Sequence, residues 1–86
     1  MKTIHKYPIT LDLEHPIVVM MPKVAQVVLI GSQHDQAFLW AIVNPESPPV
    51  ERRFVLIGTG QPIPSGHDHV ASFLVGDGAF TCHLFE

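Results

Sequence analysis

Apolar and polar residues alternate with period two in Ile9-Thr10-Leu11-Asp12-Leu13-Glu14, which predicts a strand with one buried face and one wet face. A strand over Thr3–Tyr7 precedes it, and Pro8 limits pairing at the join. The next apolar runs do not alternate. Ile17–Met21 and Val24–Ile30 are continuous and rich in β-branched residues, and Met21-Pro22-Lys23 marks the break between them. Gly31-Ser32-Gln33-His34-Asp35 is a turn-rich break. Ala37–Val43 is therefore predicted to return antiparallel along Val24–Ile30 as a hairpin. That run also fits a helix, but it is short and follows a turn. Three prolines in five positions make Asn44–Pro49 a loop. Strands over Arg53–Ile57, Val70–Val75 and Phe80–Phe85 complete the pattern, the last two joined by Gly76-Asp77-Gly78.

Pro and Gly punctuate the chain too often for a long helix. About seven short strands at near-regular spacing predict an all-β fold, a small antiparallel sandwich or open barrel, in one domain over residues 1–86. Several strands are apolar on both faces: Val27–Ile30, Phe38–Val43 and Phe54–Ile57. A two-layer domain with no helices leaves one face of each sheet outward. The prediction is a homo-oligomer, a dimer in the simplest case, with Phe38, Trp40 and Ile42 as interaction residues. The alternative is a monomer in which a loop such as Asn44–Glu51 folds over the second face.

Composition sharpens this picture. Of 86 residues, 47% are hydrophobic and only 15% charged, against about 25% charged in an average globular domain. The net charge of -3 argues against sequence-independent binding of nucleic acid, which needs clustered Lys and Arg. All five basic residues lie in the first 53 positions. A single cysteine, Cys82, excludes an intrachain disulfide and suits a reducing compartment. No apolar run is long enough to span a bilayer as a helix.

The stretch GTGQPIPSGHDH, residues 58–69, holds the candidate chemistry. A dinucleotide fingerprint would need a third glycine where Ile63 stands and a helix where Pro62 and Pro64 stand. No Lys is present for a phosphate-binding loop of the Gly-Lys-Ser/Thr kind. The glycines are read instead as a bend, and Pro-Ile-Pro as a stiffener. Gly58, Gly60, Pro62 and Pro64 then form a contact loop of fixed path. His67 and His69 share a face if extended, yet diagnostic further ligands for a metal are missing. Ser65 lies near His67 without an orienting acid, and Cys82 sits among apolar neighbours. No catalytic residue, cofactor or metal is assigned.

The pieces MKTIHKYPI, LWAIVNPE, GTGQPIP and CHLFE occur in that order across nearly the whole chain. Together they resemble a family of small β domains of unknown function encoded by phages and prophages. The resemblance implies a phage-derived, stand-alone small β domain and brings no active-site residues; with the lone cysteine, the expected location is the host cytoplasm. The expected function is a non-enzymatic accessory or binding protein that engages a host protein or defence complex, or a phage protein. The alternative is a structural or assembly component of a phage particle that acts by self-association.

Overall fold

In the computed structural model, which describes residues 1–86, every regular element is a strand: β1 Thr3–Ile9, β2 Ile17–Pro22, β3 Gln26–Gln33, β4 Gln36–Val43, β5 Pro49–Gly58, β6 His69–Val75 and β7 Phe80–Phe85. They form two antiparallel sheets, one with the order β1-β4-β3 and one with the order β2-β5-β7-β6. Neither closes into a barrel, so the fold is the sandwich of the two architectures the pattern allowed. β1 runs beside β2, and β3 beside β6, at the two open sides of the sandwich.

The register explains the core. Leu39, Ala41 and Val43 of β4 point inward, opposite Phe54 and Leu56 of β5 and Leu84 of β7 in the facing sheet, and all are essentially inaccessible to water. Ile17, Val19 and Met21 alternate with exposed Val18 and Met20. Burying each large side chain stabilises the fold by about 1.5–3 kcal/mol. One charge also points inward. Arg52 sits beside Val19 on the inner face and makes a bidentate pair with Glu86, at 2.7 and 2.6 Å. The pair holds the guanidinium protonated even more firmly than usual. Arg52 also donates to the carbonyl of Ala25. The backbones of Asp68 and Glu86 exchange two hydrogen bonds, at 2.8 and 2.9 Å, and so fasten the last residue to the start of β6.

Four points differ from the sequence reading. The alternating stretch Ile9–Glu14 is not a strand beyond Ile9. The Asp12 carboxylate accepts the backbone N–H of Glu14 at 2.8 Å and of His15 at 3.2 Å, and pairs with the His15 ring at 2.9 Å. This local turn satisfies the backbone in place of a ladder. Pro8 lies within β1, which tolerates it because β1 is an edge strand. β3 keeps Gly31, Ser32 and Gln33 in the strand, and the hairpin closes on His34 and Asp35 alone, both with positive φ. That is the geometry of a type I′ turn, whose twist matches the strands. Finally, Pro49 starts β5 rather than ending a loop. The loop is confined to residues 44–48 and is tied back by the Lys23 N–H to the Pro48 carbonyl at 2.8 Å.

Candidate functional site

The residues singled out in the sequence fall on two opposite outer faces. On the three-stranded sheet, Phe38, Trp40 and Ile42 of β4 point outward in one row, each half-buried. Their register partners on β1 are Pro8, Lys6 and Ile4. On β3 the partners are Gly31, Leu29 and Gln26. Phe38 and Trp40 pack with ring centroids 5.8 Å apart, and a Cβ on Gly31 would lie 3.9 Å from the Trp40 ring, so the indole rests over bare backbone. Lys6 holds its ammonium 4.4 Å from the centre of the Phe38 ring and donates to Gln33 at 3.2 Å. Ile4 is 57% exposed and Leu29 55%. Val28, set out by a bulge between Val27 and Leu29, extends the apolar area. This is a continuous apolar strip across three strands with one cation over it.

The outer face of the four-stranded sheet is different because the chain covers part of it. Gly58 closes a turn on Gln61, whose backbone N–H reaches the Gly58 carbonyl at 3.2 Å and whose side chain accepts the Gly58 N–H at 2.6 Å. Gly60 occupies the third turn position with φ of 92°, which a type II turn requires. Thus Gly60 uses the freedom of glycine, whereas Gly58 is still in the β5–β7 ladder opposite Cys82. Pro62 is exposed and Pro64 half-buried, and the loop brings Ile63 beside Ile57 and Phe85.

His67 and His69 do not converge. The His67 ring bonds the carbonyl of Ser65 at 2.9 Å, so the Ser65 hydroxyl gains no base. His69 turns to the sheet face, where Ser72 lies 2.9 Å from its Nε2. The other side of the Ser72 hydroxyl meets Nδ1 of His83 at 2.7 Å, and Nε2 of His83 meets Thr59 at 2.9 Å. Thr59 ends the chain at the carbonyl of Thr81, 3.4 Å away. Ser72 and Thr59 were not singled out from the sequence, and the reason is geometric. Residues three apart in a regular strand face opposite ways. A bulge between His69 and Ala71 adds one residue and returns Ser72 to the face of His69. No sequence pattern marks that bulge. Cys82 and His83 do face opposite ways, with Cys82 buried in the core.

A third feature is an apolar groove of about 670 Å³ at one end of the sandwich, with Leu11, Leu13, Leu56, Val75, Phe80 and Cys82 in its wall. No helix in the protein is long and apolar enough to cross a membrane.

The family described as "Domain of unknown function (DUF7352)" matches residues 1–86, and the chain belongs to it. No curated protein and no solved structure matches the chain.

Proposed function

We propose that this member of a family without an assigned activity is a non-enzymatic, phage-derived accessory protein that works by binding. Its primary contact is a second copy of itself through the outer face of β1-β4-β3. The observation that carries this reading is the outward apolar strip of Ile4, Leu29, Phe38, Trp40 and Ile42, in which Ile4 and Leu29 are more than half exposed and the three β4 residues half-buried. Apolar area of that kind is seldom left in water by a monomer, and a two-fold axis near Trp40 would cover it with its own image. The stiffened loop over residues 58–64 on the far side is the contact offered to a host protein in the cytoplasm. Exposed Ile63, held between two prolines, is a preorganised apolar tip.

Amide NMR over a dilution series tests the reading. Cross-peaks of β1, β3 and β4 should move with concentration, and those of β5, β6 and the 58–64 loop should not. Shifts confined to β5–β7, or none at all, would remove the proposed face. A host protein retained by the parent chain and by Trp40→Asp, but lost with Ile63→Asp, would place the second contact on the loop.

The open edges of both sheets favour a second reading, a particle component that assembles into larger arrays. A discrete dimer supports the first reading, and concentration-dependent growth beyond it supports the second.

A further inference from the structure

The hydrogen-bonded chain on the four-stranded sheet has a direction. Thr59 has one hydroxyl proton, and when that proton points to the Thr81 carbonyl, 3.4 Å away, its oxygen is free to receive the Nε2 proton of His83 at 2.9 Å. Neutral His83 then carries its proton on Nε2 and presents a bare lone pair at Nδ1. That lone pair faces the Ser72 hydroxyl at 2.7 Å, the shortest contact in the chain. Ser72 therefore donates to His83, and its oxygen accepts the Nε2 proton of His69 at 2.9 Å. The arrangement is a hydroxyl held against a base, and the base held in one tautomer by a third group. The third group is a threonine and not a carboxylate, so the activation is weaker than in an acid-supported triad.

A recess lies on the Thr59 side of the His83 ring, and Ser72, on the Nδ1 side of that ring, stands outside its wall. Ile57, Ile63 and Phe85 form its apolar wall, and Thr59 and His83 form its polar one, with a volume of about 210 Å³. This is below the usual range of pockets for drug-sized ligands and suits a short acyl or small aryl group. His69 stacks edge-on against Phe85, with centroids 5.4 Å apart, which fixes the ring that donates to Ser72.

We propose that Ser72 is a site of covalent acylation by small activated acyl esters or thioesters, with His83 as its base and Thr59 as the positioning residue. In the step, Ser72 Oγ forms a bond to the acyl carbon and its proton passes to His83 Nδ1. The bond to the leaving oxygen or sulfur breaks, and that atom takes the proton from His83 and departs as the alcohol or thiol. Nothing is oxidised or reduced. As Ser72 Oγ bonds to the acyl carbon it gives up the Nε2–H it accepted from His69, which leaves that N–H free for the adjoining carbonyl oxygen as negative charge develops on it. The result is one acyl group on a non-enzymatic binding module, beside the loop proposed to meet a partner. The site shares no residue with the β1-β4-β3 face, so the two proposals stand or fall separately.

The probe is p-nitrophenyl acetate on the full chain, read by nitrophenolate release and by peptide mass mapping. The expected result is one acetyl group on Ser72, formed faster than on any lysine. His83→Gln should slow acetylation of Ser72 by about a hundredfold, the low end of what a positioned base supplies. Thr59→Val should slow it less, and Thr59→Ser should restore it. Ser65→Ala, which alters a hydroxyl outside the chain of bonds, should leave it unchanged. Acetyl groups found only on lysines, histidines or the N-terminus would overturn the proposal. So would a Ser72 rate unaffected by His83→Gln.

Discussion

Val24 is the residue whose conformation costs most for what it returns. It is β-branched, has φ of 66°, and is 88% exposed. Left-handed backbone costs an ordinary L-residue about 1–2 kcal/mol, and Val24 recovers almost nothing by burial. The turn that forces it links Pro22 to Ala25 and carries the chain from one sheet to the other. Val24→Asn, with a side chain tolerant of positive φ, should raise stability by about 0.5–1 kcal/mol. In a domain of this size that is a gain of several degrees in melting temperature. A lower melting temperature for Val24→Asn would show that Val24 makes contacts the backbone argument ignores. Asp12 gives a second expectation at this scale. Hydrogen bonds from the Glu14 backbone N–H and from His15 hold its carboxyl below the ordinary carboxylate range. A depressed pKa in the folded state means a stabilising contribution that is full above the ordinary value of about 3.9 and is lost as pH falls through the depressed one. Asp12→Asn should therefore be less stable than the parent at neutral pH, and the gap should close in acid. A gap that stays constant down to pH ~2, well below the ordinary carboxylate pKa, would rule out the carboxylate as its source.

Among the elements, the β3–β4 hairpin makes the sharpest statement. Its two-residue loop places His34 at φ 50° and Asp35 at φ 63°. Asn-Gly is the residue pair best suited to those angles. The double substitution His34→Asn with Asp35→Gly should stabilise the domain by about 0.5–1 kcal/mol, read as a higher urea midpoint at unchanged slope. A lower midpoint would mean that His34 or Asp35 makes a contact outside the turn. The same hairpin shows what the sequence could reveal. Its existence and partner runs were legible, because two apolar segments flank a polar break. Its tight closure was not, because Gly31-Ser32-Gln33 resembles a turn and is strand. Gly31 pairs with Phe38 within the ladder and packs against Trp40 at ordinary contact distance. The misleading case is Ile9–Glu14, where perfect alternation is overruled by an Asx-type turn at Asp12. Periodicity reports which residues want burial, and it does not report whether a side chain has already claimed the backbone. The candidate site divides in the same way. Phe38, Trp40 and Ile42 were legible from period two within an unbroken apolar run. Ser72 was hidden by the bulge before Ala71.

For the molecule as a whole, the two outer faces have been treated differently by the chain. The 58–68 connection crosses one end of the four-stranded sheet and shelters Ile57 and Phe85. The three-stranded sheet leaves Ile4 and Leu29 more than half exposed. The Lys6 side chain reaches over Phe38, and a lysine stem with its charge outward is compatible with an interface rim. The low share of charged residues thus has a location, the face of β1-β4-β3, and self-association through that face is the central claim. Light scattering coupled to size exclusion over a micromolar dilution series tests it most directly. The predicted result is a mass of twice the 9.5 kDa chain, falling to that of one chain in Trp40→Asp while the variant keeps the β-type circular dichroism of the parent. A parent chain that elutes at the mass of a single chain throughout the series would contradict the claim.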